Sequence, residues 1–244
     1  MDITGKIALV VGGGGGIGRA IGKALADEGC KVALSDCDEQ ALRKAAESAD
    51  SQSPLPWRTC DITDRGQVAQ LFQWVAQELG TVEILVNSAG INISNRMMAN
   101  VDPVDFDRVM AVNFTGGFNL IHAALPGMRA KRSGLIVNII SVAGKRVMPI
   151  AGLPYCTSKF ALSTLGTFVN LEECEKNGIR VTNIYPGEAN TPLVDKRPVP
   201  PPPEKRAKML QPEDIAACVV AVAKLPPRAV VQELVIAPAH MLID

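Results

Sequence analysis

The sequence predicts an α/β fold, a single domain built on a doubly wound parallel sheet of about seven strands with helices on both faces. Short, nearly continuous apolar runs alternate with longer segments of helical periodicity. Strands that are apolar on both faces are typical of parallel sheets covered by helices on both sides. The 244 residues, 47% of them hydrophobic, suit one such domain with a large core. We therefore expect one domain over 1–244, with a substrate loop at about 188–210.

The apolar runs give the strands in order. Each is short and is followed by turn residues or by a helical pattern, which distinguishes it from a helix segment. The predicted strands cover residues 6–11, 31–35, 57–60, 82–86, 135–140, 179–185 and 233–236.

Helical periodicity fills the intervals between these strands. The helix after the third strand is the best marked, because five apolar residues share one of its faces, namely Val68, Leu71, Phe72, Val75 and Leu79. The pair Gly116-Gly117 could divide the next, long helix into two pieces. The other predicted helices cover residues 16–28, 39–49, 105–131, 154–177 and 212–223.

Composition excludes several classes of function. The formal net charge is zero and aromatic residues make up 4%, so neither a basic surface nor a stacking platform for nucleic acid is indicated. Six cysteines without a Cys-x-x-Cys pair and two histidines argue against a metal site. We find neither a secretory signal nor a segment of the roughly 20 apolar residues that span a bilayer. We expect a cytoplasmic protein that binds no membrane and no metal.

A glycine-rich turn joins the first predicted strand to the first predicted helix. Five consecutive glycines, Gly12 to Gly16, are followed by Ile17 and Gly18. Glycines let the backbone approach a pyrophosphate closely, and a helix start presents free N–H groups to it. The turn is therefore a candidate dinucleotide site, with these candidate contacts: Gly12, Gly15, Gly16, Ile17 and Gly18.

Asp36 ends the second predicted strand. A carboxylate at this place can accept hydrogen bonds from the adenosine ribose hydroxyls and would repel a 2′-phosphate. NAD(H) is therefore favoured over NADP(H) as the cofactor. The alternative is that Asp36 is a turn or helix-cap residue ahead of Asp38 and Glu39.

Four polar residues form the candidate catalytic set, Asn113, Ser141, Tyr155 and Lys159. Tyr155 and Lys159 are i and i+4, so they share one helix face. A free tyrosine has a pKa near ~10, and a neighbouring ammonium favours its phenolate. We expect Lys159, together with an oxidised nicotinamide ring, to lower the pKa of Tyr155.

These motifs resemble the short-chain dehydrogenase/reductase family, a Rossmann-like fold, over essentially the whole chain. The glycine turn, the Tyr-x-x-x-Lys motif at 155–159, and Ser141 stand in the family's order. Val11 replaces the usual threonine and Ser88 replaces an asparagine. The remaining positions that the resemblance assigns to the cofactor are Asp61, Ile62, Asn87, Ala89, Gly90, Pro186, Gly187, Ala189 and Thr191.

The resemblance implies an NAD-dependent exchange between a secondary alcohol and a ketone. Tyr155 would be the general acid/base, and Lys159 would bind the nicotinamide ribose. Ser141 would hydrogen-bond the substrate oxygen, and the main chain of Asn113 would hold a water that connects Lys159 to solvent. The alternatives are a 3-oxoacyl thioester reductase and a catalytically idle NAD-binding sensor or scaffold.

The substrate-facing segments leave several interpretations open. Glu188 could bind a cation or a polyol hydroxyl of a substrate, or it could point to solvent. The run Arg197 to Pro203, whose prolines argue against a helix, could be a stiff surface loop or a wall of the substrate pocket. Met97, Met98 and Met148 suggest adaptable apolar walls. The cations that could meet an anionic group, or face water, are Arg96, Lys145 and Arg146.

The resemblance also implies a homodimer or homotetramer. The long helices at 105–131 and 154–177 would join the subunits. Outward apolar positions that could serve this contact are Leu162, Leu165 and Val169, although the sequence alone does not separate them from core positions.

Overall fold

A computed structural model describes residues 1–49 and 54–241. Within them, seven parallel strands form one sheet in the order β3-β2-β1-β4-β5-β6-β7. This confirms the predicted doubly wound fold. The strands are β1 (Ile7–Val11), β2 (Lys31–Asp36), β3 (Trp57–Thr59), β4 (Ile84–Asn87), β5 (Gly134–Ile139), β6 (Ile179–Pro186) and β7 (Glu233–Ile236).

The helices lie close to the predicted bounds. The helices at 39–49 and 212–223 match the prediction end for end, and the helix after β3 begins at Arg65, where the Asp64 carboxylate accepts the N–H groups of Gly66 and Gln67. The helices are α1 (Gly16–Asp27), α2 (Glu39–Ala49), α3 (Arg65–Glu78), α4 (Pro103–Met110), α5 (Gly117–Lys131), α6 (Leu153–Asn177), α7 (Pro203–Arg206) and α8 (Pro212–Ala223).

Alternating residues of the strands point into two cores on opposite faces of the sheet. On β1, Ala8 and Val10 join the core that α1 and α8 cover. Leu9 and Val11 join the core that α3 and α5 cover. Both faces of the strand are therefore buried, which explains why its sequence is an unbroken apolar run.

The long helix predicted at 105–131 is continuous but irregular. Between α4 and α5 the chain forms a π-helical segment, Ala111–Gly116. Gly116, at the end of this segment, lies so close to the buried Ile62 that a side chain would collide with it. Gly116 thus packs closely against the loop after β3. The glycine pair is also where the π-helical segment ends and α5 begins, so the helix divides at the suggested position without a break in the chain.

The apolar positions suggested for a subunit contact on α6 proved to belong to the core. Leu162 is 0% and Val169 is 6% exposed, and Leu165 packs partly against the same clusters. A different apolar stripe faces outward, in which Phe168 is 58% and Leu171 is 76% exposed. Helix α6 carries two apolar stripes, and helical periodicity alone does not tell which one faces the sheet.

Among residues 1–49 and 54–241, none of the helices combines the length and the hydrophobicity that spanning a bilayer requires.

Gly166 of α6 permits the helix to pack against β6. A side chain at this position would overlap the amide of Asn183, which accepts a hydrogen bond from Asn138 (3.1 Å) and donates one to the Ser163 carbonyl (2.9 Å). Both asparagines are buried, so displacing one leaves polar groups without partners.

We predict that Gly166→Ala lowers the free energy of unfolding by about 2–4 kcal/mol, because it overpacks the core and breaks this network. Urea denaturation followed by circular dichroism measures the change. Thr164→Ala, on the exposed side of the same helix, is the control and should change stability by less than about 0.5 kcal/mol. Equal stability of both variants would contradict the packing argument.

Candidate active site

The topology of the sheet places a crevice at the carboxyl ends of β1 and β4. Strand β1 lies between β2 and β4, so the chain changes direction across the sheet at this point. Open α/β sheets bind ligands at such switch points. The glycine turn after β1 and the segment that follows β4 both lie here.

The glycine turn packs closely against the chain that leaves β4. Gly12 has φ of +81°, and a Cβ on it would lie 2.6 Å from the Ala89 nitrogen. A Cβ on Gly18 would overlap the Gly12 carbonyl oxygen, so the start of α1 is equally close to the turn. These two positions require glycine. The N–H groups of Gly12 to Gly15 are bonded within the protein, so this glycine cradle fits a pyrophosphate through the N–H groups at the start of α1, which a helix leaves without intrahelical partners.

Asp36 lies beside this cradle. Its carboxylate accepts hydrogen bonds from the Gly14 N–H (3.0 Å) and the Asp38 N–H (3.2 Å). It is partly exposed and has no ion-pair partner within the described part of the chain. The side chain is thus both a turn former and a free acceptor at the edge of the cradle.

Asn113 holds the loop after β4 against α6. It lies in the π-helical segment and is 1% exposed. Its amide accepts the Ile91 N–H (2.8 Å) and donates to the Ile91 carbonyl and to the Ser158 hydroxyl (both 3.0 Å). This side chain faces neighbouring residues and does not line the cleft. Single π-helical turns recur at functional sites.

Ser141 follows β5 at the cleft. Its hydroxyl accepts the Ala143 N–H (3.1 Å) in a short turn, Val142–Gly144. Its φ of +154° is unusual for a residue with a side chain. Backbone outliers of this kind cluster at ligand sites.

Tyr155 and Lys159 lie one turn apart on α6 and both face the cleft. The Lys159 Nζ lies 5.7 Å from the centre of the Tyr155 ring and donates to the Ile139 carbonyl (3.0 Å). A Cβ on Gly90 would come within 3.3 Å of this Nζ, so a side chain at this position would crowd the ammonium. Lys159 is 3% exposed.

Burial opposes the charged forms of both side chains. It raises the pKa of Tyr155 to about 12, against the effect of the Ser141 hydroxyl, which lowers this pKa. Burial also lowers the pKa of Lys159 to about 8. In the protein without a cofactor, desolvation of the phenol is the largest effect on the pKa of Tyr155. That Lys159 and an oxidised nicotinamide ring together lower this pKa stays a prediction.

One cleft brings together three of the four catalytic candidates and several cofactor candidates. Those that line it are Ile17, Gly90, Ser141, Tyr155, Lys159, Pro186, Gly187, Ala189 and Thr191. The walls opposite are mainly apolar and include Val142, Met148 and Leu193. Met97 and Met98 are exposed and do not line the cleft, so of the three methionines only Met148 forms a wall.

Asp61, Ile62 and Asn87 are cofactor candidates that lie outside this cleft. Asp61 accepts the N–H and hydroxyl of Thr63 and stabilises its own turn. Ile62 is buried against Gly116. Asn87 is 1% exposed beneath the β4 end, and neither atom of its amide has a hydrogen-bond partner among the described residues.

Glu188 faces the cleft but is already paired. It accepts from Arg197 (2.8 Å) and lies 3.4 Å from the Lys205 ammonium. Burial raises the pKa of this carboxyl, but the two cations outweigh that effect and the net pKa is lowered. Glu188 therefore neutralises a cation of this chain and is not available to a substrate cation.

The proline run contributes to the wall only through its first residue. Arg197 lines the cleft, and none of the five prolines at 198 and 200–203 does. Pro203 begins the short helix α7, because a proline fits the first turn of a helix. The expectation that the prolines forbid a helix was wrong at this end of the run.

Several residues of the site were missed at the level of the sequence. Asn92, Val194 and Met241 line the cleft, but no motif marks them. Ser158, the partner of Asn113, could have been found from its place on the α6 helix between Tyr155 and Lys159. No cluster of three or more metal-ligating side chains occurs among residues 1–49 and 54–241.

Comparison with known proteins identifies the family. A sequence model described as short chain dehydrogenase matches residues 6–199. A glycine betaine reductase of Emericella nidulans is 36% identical over 243 residues, covering 97% of this chain, which spans only 19% of that protein's length. An uncharacterised oxidoreductase of Staphylococcus saprophyticus is 32% identical over 240 residues, covering 98% of this chain and 99% of that protein.

A solved structure shares both the fold and part of the sequence. A metagenomic short-chain oxidoreductase in complex with NADP is 27% identical, has a TM-score of 0.82, and covers 98% of this chain and 99% of that one. The match of the family over residues 6–199 and the full-length similarity to oxidoreductases agree with the cradle and the paired tyrosine and lysine. The chain belongs to the short-chain dehydrogenase family of oxidoreductases.

Proposed function

We propose that the protein is an NAD(H)-dependent oxidoreductase that interconverts a secondary alcohol and a ketone, with Tyr155 as the general acid/base. The observation that carries the proposal is the meeting of Ser141, Tyr155 and Lys159 in one cleft beside the glycine cradle. The substrate would be a small molecule, and the segment at about 188–210 would form part of its site.

The chain's own groups fit a nicotinamide dinucleotide. The glycine turn and the start of α1 would hold the pyrophosphate, and Asp36 the adenosine ribose. Asp61 and Ile62 are the proposed neighbours of the adenine, and the segment Asn87–Gly90 would follow the cofactor across the sheet. Pro186 to Thr191 would enclose the nicotinamide end. When bound, such a cofactor supplies or accepts the hydride.

The protein's side chains would transfer the proton and stabilise the charge that this transfer leaves. The Ser141 hydroxyl would donate a hydrogen bond to the substrate oxygen. Because burial keeps the pKa of Tyr155 at about 12, the phenol is protonated at neutral pH and can donate to a ketone oxygen. In the oxidation direction, positive charge has to stabilise the phenolate, and Lys159, with its pKa at about 8, is still mostly charged at pH 7. Asn113 keeps the loop wall beside Lys159 in place.

NAD rather than NADP is the proposed cofactor because Asp36 puts a carboxylate at the edge of the cradle. A 2′-phosphate placed there would meet like charge. The solved relative that holds NADP favours the opposite choice. A 3-oxoacyl thioester reductase, which usually runs on NADPH, is the alternative that such a choice would favour. An idle sensor or scaffold would have little use for the paired Tyr155 and Lys159.

A homodimer or homotetramer is the proposed assembly. The outward stripe of α6, with Phe168 and Leu171, provides the apolar surface for a second copy. Phe118 of α5 is also partly exposed.

The six cysteines are all free thiols, which agrees with a reducing, cytoplasmic compartment.

Replacing the phenol tests the chemistry. We predict that Tyr155→Phe lowers kcat by about 10²–10⁴-fold and leaves NADH affinity within a few-fold of the parent, since the hydroxyl acts only on the proton. Steady-state kinetics and calorimetry on the same preparation measure both. Tyr185→Phe is the matched control, because the chain's other tyrosine is buried and bonds Ser163 and Glu233 outside the cleft. Full activity of the Tyr155 variant would favour the idle-protein alternative.

The cofactor preference follows from Asp36. We predict at least about tenfold tighter binding of NADH than of NADPH, and a loss of this preference in Asp36→Ser, because the repelling carboxylate is gone. Calorimetric titration with each cofactor is the measurement. Asp38→Ser removes a neighbouring carboxylate outside the cradle and should keep the preference. Tighter NADPH binding by the parent protein would overturn the role given to Asp36.

The oligomer prediction concerns the outward stripe. We predict that the double variant Phe168→Glu and Leu171→Glu sediments as a monomer, because it puts charges into the proposed apolar contact. Analytical ultracentrifugation at micromolar concentration checks this. Val199→Glu, at an 82% exposed site on the loop after β6, adds charge elsewhere and should leave the assembly intact. A monomeric parent protein would refute the proposal.

A further inference from the structure

We propose that Arg96 binds a carboxylate of the substrate, and that the substrates are accordingly hydroxy acids and their keto acids. The inference rests on the proposed function and names its substrate class. Arg96 lies in the loop between β4 and α4, lines the cleft, and is 3% exposed.

The Arg96 side chain occupies a built site rather than a surface. It passes beneath Gly152, where a Cβ would lie 2.7 Å from the arginine Cδ. Gly152 has φ of +85°, so both its conformation and the space that it leaves depend on glycine. The next residue, Leu153, donates its N–H to the Arg96 carbonyl (2.9 Å) at the start of α6. The loop and the first turn of α6 thus hold the arginine from both sides.

The guanidinium lacks the anion that a buried cation normally has. One Nη donates to the Ile150 carbonyl (3.3 Å) and the other to the Lys196 carbonyl, and both acceptors are neutral. The Nε–H has no acceptor among the described residues. Arg96 also forms no ion pair with any described carboxylate. Burial and the nearby Arg197 lower its pKa, which is the sign of a cation short of compensation.

The other charged residues of the cleft leave the positive charge of Arg96 uncompensated. The second arginine of the cleft is Arg197, and Glu188 neutralises it at 2.8 Å. Lys159 serves Tyr155 and donates to the Ile139 carbonyl. Among the described residues, those that line the cleft thus include three cations and one carboxylate. This excess of positive charge favours an anionic ligand.

The remaining cations considered from the sequence are not available to the cleft. Lys145 pairs with Glu233 and is 40% exposed, and Arg146 is exposed. Neither lines the cleft. Among the cations of the described lining, Arg96 alone combines burial, an unpaired donor and a place in the substrate wall.

A carboxylate is the anion that this arrangement fits best. A guanidinium presents parallel N–H groups to two oxygens, and such charge-assisted pairs give both strength and orientation. The carboxylate would hold one end of the substrate while its hydroxyl lies at Ser141 and Tyr155. The alcohol carbon would then be oxidised. NAD+, when bound, would accept its hydride, the Tyr155 phenolate would take its hydroxyl proton, and the carboxylate would be unchanged.

A binding experiment tests the anion site without catalysis. We would measure the melting temperature of the full chain with NADH, and titrate in straight-chain monocarboxylic acids of about four to ten carbons and their amides. At least one acid should stabilise the parent protein more than its amide does. Arg96→Gln should abolish the difference, Arg96→Lys should retain part of it, and Arg146→Gln should retain all of it. If no acid exceeds its amide, the proposal is overturned.

A kinetic experiment separates this proposal from the proposed function. Hydroxy acids and their methyl esters are compared as substrates with NAD and with NADP. We expect the acid to exceed its ester in kcat/KM by at least about tenfold, and Arg96→Gln to remove the preference mainly through KM. If acids and esters react equally and Arg96→Gln slows both, the carboxylate site is refuted and the oxidoreductase stands. If acids bind through Arg96 but no alcohol reacts, the proposed function fails and the anion site stands.

Discussion

The close approach of the glycine turn to the chain leaving β4 is the constraint on which the site depends. Gly12 lies so near Ala89 that a methyl group on Gly12 would clash with the Ala89 backbone and force the two segments apart. Gly18 lies equally near Gly12, so the first helix starts directly above the turn. Because parallel strands end on the same edge, this contact gathers the start of α1, the loop after β4 and the end of β2 around one crevice.

Burial is the second determinant of the site, and it disfavours the charged forms of the side chains there. Tyr155 and Lys159 are both driven toward their neutral forms, by opposite shifts in pKa. A phenol in this state is a ready proton donor, and its conversion to a base requires positive charge beyond that of the lysine alone. Asn113 and Gly90 keep the lysine in its place, one by fixing Ile91 and the other by leaving space.

Charge pairing in the loop after β6 sets the balance of charge in the cleft. From the sequence, Glu188 was a candidate to bind a substrate cation, but Arg197 and Lys205 neutralise its charge. The effect is to leave the buried Arg96 as the uncompensated charge of the wall. The prolines next to Arg197 do not line this wall.

Much of the fold and part of the site could be predicted from the sequence. Apolar runs, glycines and the Tyr155 to Lys159 spacing are local signals, and they were enough for the strands, for most helix bounds and for part of the cleft lining. The same signals could not separate the two apolar stripes of α6, which is why Leu162 was placed outside and Phe168 was overlooked.

The sequence by itself determined the seven-stranded fold, the glycine turn and the pairing of Tyr155 with Lys159, because each is set by neighbours along the chain. Only the tertiary structure decided that Asn113 clamps a loop, that Glu188 is paired, and that Arg96 is buried without an anion. Desolvation and ion pairing depend on which distant segments meet, and residues 96, 150 and 196 come together only when the sheet brings their loops to one edge.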